Sequence, residues 1–189
     1  IRDLGMSRGL VDVYKRQVLN DQTFLTDALT DKAIDFIKRN KNNPFFLYLP
    51  HPQPHVPLFA SDKFVGTQKR GLYGDVINEI DYSVGRILMT LKMEKLEENT
   101  IIIFTSDNGP WLSYGGHSGS AGIFREGKGT NWEGGHRVPG IVYYPNKIKA
   151  NTKIDVPAMG IDWLPTIVEF TQSQSPKNLS LIHISEHTR

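Results

Sequence analysis

Residues 100–135 read TIIIFTSDNGPWLSYGGHSGSAGIFREGKGTNWEGG. Ile101-Ile102-Ile103-Phe104-Thr105 is a run of β-branched and aromatic residues with the character of a buried central strand. Ser106-Asp107-Asn108-Gly109-Pro110 stops it with turn chemistry. This places an acid and an amide just past the carboxyl end of an expected parallel strand, the edge of an open α/β sheet where ligands bind. The glycine-rich loop that follows carries Lys128 between Gly127 and Gly129. Hard oxygen donors followed by a lysine whose glycine neighbours let backbone approach closely suggest a metal and an anion held together. Taken alone, Asp107-Asn108-Gly109 reads better as a plain turn, and Lys128 as a solvated loop lysine.

Working outward, helical spacing of Leu29, Ala33, Phe36 and Ile37 predicts a helix. Thr26 or Thr30 would cap it, and Asn40, Asn42, Asn43 and Pro44 would end it. Phe45-Phe46-Leu47-Tyr48-Leu49 predicts a strand. Four prolines in the eight residues 50–57 exclude helix and central strand and stiffen a loop that carries His51 and His55. Tyr73, Val76, Ile77, Ile80, Val84, Ile87, Leu88 and Leu91 mark one face of a long amphipathic helix. Asp75, Glu79 and Arg86 fall mostly off that stripe, as a solvated side with local ion pairs. Glu79 and Asp81 are two apart and do not share a face. Residues 138–145 predict another strand, and Ile161 to Phe170 a last helix with Asp162 at its start. Helices alternating with buried strands are the unit of an α/β fold.

Several of these stretches occur together, in order, in one family. Thr105-Ser106-Asp107-Asn108-Gly109-Pro110, Gly127-Lys128-Gly129-Thr130 and Glu133-Gly134-Gly135 resemble the second half of a type I sulfatase of the arylsulfatase A kind, over roughly Thr26 to Thr171. The DNGPWLSYGGHSGSAG version is more similar to bacterial members. The resemblance implies a partial sulfatase/alkaline-phosphatase-like fold, a mixed and mostly parallel sheet flanked by helices. It implies that His55 and Lys128 are catalytic, one assisting departure of the alcohol and the other holding sulfate oxygen, and that Asp107 and Asn108 are calcium ligands. His51 and His117 are candidates to face substrate, and Glu133 with Arg137 a loop-pinning ion pair. The implied cofactors are calcium and a formylglycine made from a C/S-x-P-x-R motif. Neither that motif nor any cysteine is in this chain. The implied parent is a sulfuric ester hydrolase acting on a small-molecule or carbohydrate sulfate ester, with this chain an inactive part of it. A periplasmic or extracellular location goes with the family. The alternatives are a phosphatase or phosphodiesterase of the same superfamily, and an inactive sulfatase-like binding protein.

Composition narrows the classes. The 189 residues suffice for one domain with a core. A formal charge of +2 with no basic tract argues against a nucleic-acid surface. No apolar run reaches membrane-spanning length, and oligomeric state is open. Residues 1–17, ending VYKRQ, and 179–189, within SLIHISEHTR, are similar to translated sequencing adaptor. They are read as non-native tails around a partial catalytic domain over 18–178.

Overall fold

The computed structural model describes residues 25–173; the two tails of the sequence reading lie outside them. The chain divides into two compact units after Ala150.

In the first unit, helix α1 (Leu25–Asn40) and helix α2 (Gly71–Met93) pack against each other. Ala33 and Ile37 of α1 and Val76, Ile80 and Leu91 of α2 are buried. The proline loop and the segment after it close one end of α2, where Leu58, Ala60 and Phe64 join Val76 and Ile80 in a single apolar cluster. Polar groups share this interior. Thr26 and Thr30, expected as caps, lie inside α1 and are buried. Thr30 Oγ1 donates to Thr26 O at 2.6 Å, the back-bond open to a hydroxyl in mid-helix.

Two carboxylates of α2 depart from the expected solvated side. Asp75 and Glu79 are 2% and 3% exposed. Asp75 accepts the backbone N–H groups of Gly66 (2.9 Å) and Gln68 (2.8 Å). Glu79 Oε2 accepts that of Ser61 at 3.0 Å. The loop over α2 has no ladder partner for these amides, so carboxylates satisfy them instead. Ile77 is correspondingly 41% exposed. Arg86 does form ion pairs, with Asp27 and Asp31 of α1.

Strands β1 (Ile102–Thr105) and β2 (Gly140–Tyr143) form an antiparallel ladder with Ile102 opposite Tyr143 and Thr105 opposite Gly140. The α/β character expected from sequence is present. The expected parallel pairing of the Ile101 strand is not: its partner among the described residues is antiparallel, as the odd strand of a mixed sheet can be. Nor is it fully buried, for Phe104 and Ile141 are exposed. Phe45–Leu49 is extended but carries no ladder. Phe45 packs edge-on against Phe36 of α1, while Phe46 and Tyr48 on the other face are 59% and 58% exposed. A strand needs a hydrogen-bonding neighbour, and the described residues supply none to this segment.

A kinked 3₁₀ stretch (Leu112–His117) and the short helix α3 (Glu133–His136) lie between the strands. The second unit holds the 3₁₀ turn Gly160–Asp162 and helix α4 (Trp163–Thr171). Asp162 caps there as expected, its carboxylate accepting the Met159 N–H at 2.7 Å.

Candidate functional site

The turn after β1, the Lys128 loop and α3 are bound backbone to backbone. The Gly109 N–H donates to Gly135 O (3.0 Å), the Lys128 N–H to Pro110 O (2.9 Å) and the Gly134 N–H to Arg125 O (2.9 Å). Glycine is required at these contacts by space. A Cβ on Gly109 would stand 1.8 Å from Gly134 O, one on Gly134 2.0 Å from Glu126 O, and one on Gly127 2.3 Å from Pro110 O. The three motifs DNGP, GKGT and EGG are thus one body, in which a glycine of each makes room for a carbonyl of a neighbouring segment. The Glu133–Arg137 ion pair spans α3 at 3.5 Å on an exposed face.

Asp107 and Asn108 sit on this body just past β1. Asp107 is exposed and Asn108 half-buried. Among the described residues the Asp107 carboxylate has no hydrogen-bond or ion-pair partner, and Ser106 Oγ donates to Asn108 O at 3.1 Å. No three His, Cys, Asp or Glu side chains among the described residues come together as a metal cage. The donor set, a free carboxylate beside an amide oxygen, fits calcium in kind and supplies part of the six to eight oxygens that the ion takes.

His55 reaches the same place from the proline loop. Its Nδ1 is 2.7 Å from Val56 O. A carbonyl can only accept, so Nδ1 carries the hydrogen and Nε2 is left free. The imidazole stands edge-on to Trp111, ring centroids 5.7 Å apart. Lys128 Nζ lies 4.9 Å from the centroid of that same indole and, among the described residues, faces no carboxylate. Tyr114 packs edge-on against Trp111 at 4.7 Å. His55 and Lys128, proposed from sequence, are therefore brought together, and Trp111 joins them. Sequence reasoning did not single out Trp111 as a site residue; the available signal was an aromatic directly after the DNGP turn.

The other two histidines stand apart. His117 is exposed at the end of the 3₁₀ stretch, with no side-chain hydrogen bond or ring contact among the described residues. His51 faces the helices, its Nε2 3.3 Å from Ser83 Oγ. Ser83 Oγ in turn is 2.5 Å from Thr30 Oγ1. Thr30 spends its hydrogen on Thr26 O, so Ser83 donates to Thr30 and His51 Nε2–H donates to Ser83. His51 Nδ1 is then a buried lone pair without a partner. Burial holds the His51 pKa below its ordinary value.

Compared with known proteins, residues 5–173 match the sulfatase family. The chain belongs to that family. Human steryl-sulfatase is 43% identical to this sulfatase chain over 159 residues, 82% of the chain and 27% of the relative. N-acetylgalactosamine-6-sulfatase of the dog is 47% identical over 152 residues, 79% and 29% of the two. Among solved structures, a protein from work on glycosaminoglycan metabolism by Bacteroides thetaiotaomicron superposes with a TM-score of 0.75 at 35% identity, over 84% of this chain and 35% of that one. The protein i-CgsB, solved with k-i-k-neocarrahexaose, superposes with 0.74 at 34% identity, over 81% and 35%. The chain thus spans between a quarter and about a third of the length of these sulfatase relatives. Its described helices include none long and apolar enough to cross a membrane.

Proposed function

We propose that the complete protein containing this chain is a sulfuric ester hydrolase, acting on a small-molecule or carbohydrate sulfate ester, and that this chain supplies the sulfate-holding and leaving-group side of its site. The observation that carries the reading is the convergence of His55 and Lys128, from two separate loops, on the indole of Trp111, which follows Asp107 and Asn108 along the same turn.

Lys128 brings an ammonium with no carboxylate partner among the described residues, so its charge is available to a sulfate oxygen. His55 is committed at Nδ1 to Val56 O, which leaves Nε2 to face the ester; in the imidazolium form Nε2 gives its proton to the ester oxygen as the sulfur–oxygen bond breaks and the alcohol departs, and the ring returns to the neutral Nδ1–H form. Asp107 and Asn108 would hold calcium together with donors from outside this chain. When bound, calcium neutralises sulfate charge, and formylglycine supplies the attacking oxygen. No C/S-x-P-x-R motif is in this chain, so the chain alone is expected to show no steady turnover. A periplasmic or extracellular site of action goes with this proposal.

The test is to assay the complete gene product on p-nitrophenyl sulfate and p-nitrophenyl phosphate, with and without a calcium chelator. Sulfate turnover that the chelator abolishes is expected. A preference for the phosphate ester would replace the reading with a phosphatase of the same superfamily, and no turnover of either ester would favour a binding role.

A further inference from the structure

We propose that Trp111 is the positioning residue of this site: its indole fixes the separation of Lys128 Nζ and the His55 imidazole. The inference rests on the sulfatase reading for its catalytic consequence, but its geometry stands by itself. Lys128 is held at both ends by the same peptide. Its main-chain N–H donates to Pro110 O at 2.9 Å, and its ammonium lies 4.9 Å from the ring of the next residue, Trp111. The lysine stem is thereby closed into a loop over the Pro110–Trp111 unit. A free lysine would sample many rotamers, whereas the negative face of an indole draws the ammonium to one place.

The same ring meets the edge of His55 at 5.7 Å with planes inclined by 61°. Tyr114 packs edge-on at 4.7 Å and restricts how the indole turns. The two groups that must act on one ester, one on a sulfate oxygen and one on the leaving oxygen, are thus spaced by a rigid aromatic body. Small misplacements of such groups are costly to rate. Trp132 offers an internal contrast, since it pairs with Arg125 at 3.7 Å and, among the described residues, makes no ring or cation contact with either group.

The test has two readouts. In the full chain, NMR should show the Lys128 ε-methylene protons shifted upfield by the indole. Trp111→Ala should return them to ordinary values, while Trp132→Ala leaves them in place. In the complete gene product, Trp111→Ala should lower kcat about ten- to a hundredfold, with Trp111→Phe recovering most of it. Added to Lys128→Ala, the Trp111→Ala change should cost less than it does alone, because the part of its effect that runs through the lysine is already lost. Lys128 shifts that are ordinary in the unsubstituted chain, or additive losses, would overturn the proposal. So would a loss seen with a carbohydrate sulfate and absent with an aryl sulfate, which marks Trp111 as a sugar-stacking surface. Shifts as expected with no sulfate turnover in the unsubstituted protein would support the Trp111 geometry and overturn only the sulfatase reading.

Discussion

Pro110 O accepts the backbone N–H of Lys128 at 2.9 Å. A turn that follows one strand thereby fixes the main chain of a lysine in a separate loop, and the site inherits its precision from the backbone before any side chain is placed. This explains why two short motifs so far apart in sequence act as one.

The lock depends on missing side chains. Gly109→Ala and Gly134→Ala would each drive a Cβ against a main-chain oxygen, at 1.8 Å and 2.0 Å. Neither oxygen can rotate away, so each substitution should cost about 1–3 kcal/mol or more. Gly85 in α2 meets nothing within 4 Å, so Gly85→Ala should stabilise the chain by about 0.4–1 kcal/mol. Denaturant midpoints of the three variants check the contrast, and equal effects would contradict the lock.

Acid should weaken the first unit in two windows. The folded-state pKa of His51 is lowered by burial from its ordinary 6.5, so the unfolded chain takes up the proton first. Stability is therefore complete above that value and falls as pH drops through it toward the folded-state pKa. Asp75 is held below its ordinary 3.8, first by the Gly66 N–H and then by those of Gln68 and Thr67. Its contribution is present above 3.8 and is lost as pH falls through the folded-state pKa. Unfolding midpoints followed from pH 8 to 3 should lose the upper step in His51→Gln and the lower step in Asp75→Asn.

The two ties between α1 and α2 should differ in worth. Ser83→Ala strands the buried His51 Nε2–H and removes the donor to Thr30, at a cost of about 1–3 kcal/mol. Arg86→Met breaks ion pairs whose carboxylates are more than half exposed, at about 0–1 kcal/mol and less in high salt. Thermal midpoints in low and high salt check both the ranking and the salt response.

The residues of the proposed site stand out in the sequence, and the contacts that support them do not. Asp107, Asn108, Lys128 and His55 stood out because turn, glycine and proline signals are local and their order is specific. Helices α1 and α2 were legible from apolar spacing. Burial of Asp75 and Glu79 was not, because it follows from which loop amides lie over α2, a tertiary fact with no periodic signature. Thr30 reads as a cap by type, but its hydroxyl meets Ser83 of another helix. Strand pairing failed for the same reason. Phe45–Leu49 has the composition of a strand, and composition does not supply a neighbour. Trp111 was passed over because an aromatic after a turn is ordinary until a lysine and a histidine from separate loops are seen to share it.

The most direct measurement is kcat on phenyl sulfate, whose leaving oxygen needs a proton, for the complete gene product beside its Lys128→Ala and His55→Ala variants, each verified as folded. The account predicts a fall of about a hundredfold or more for each. It also predicts that His55→Ala loses less on esters of acidic phenols, whose leaving oxygen needs no proton. Turnover unchanged in both variants would contradict the account, since the two groups gathered on Trp111 would then have no part in the reaction.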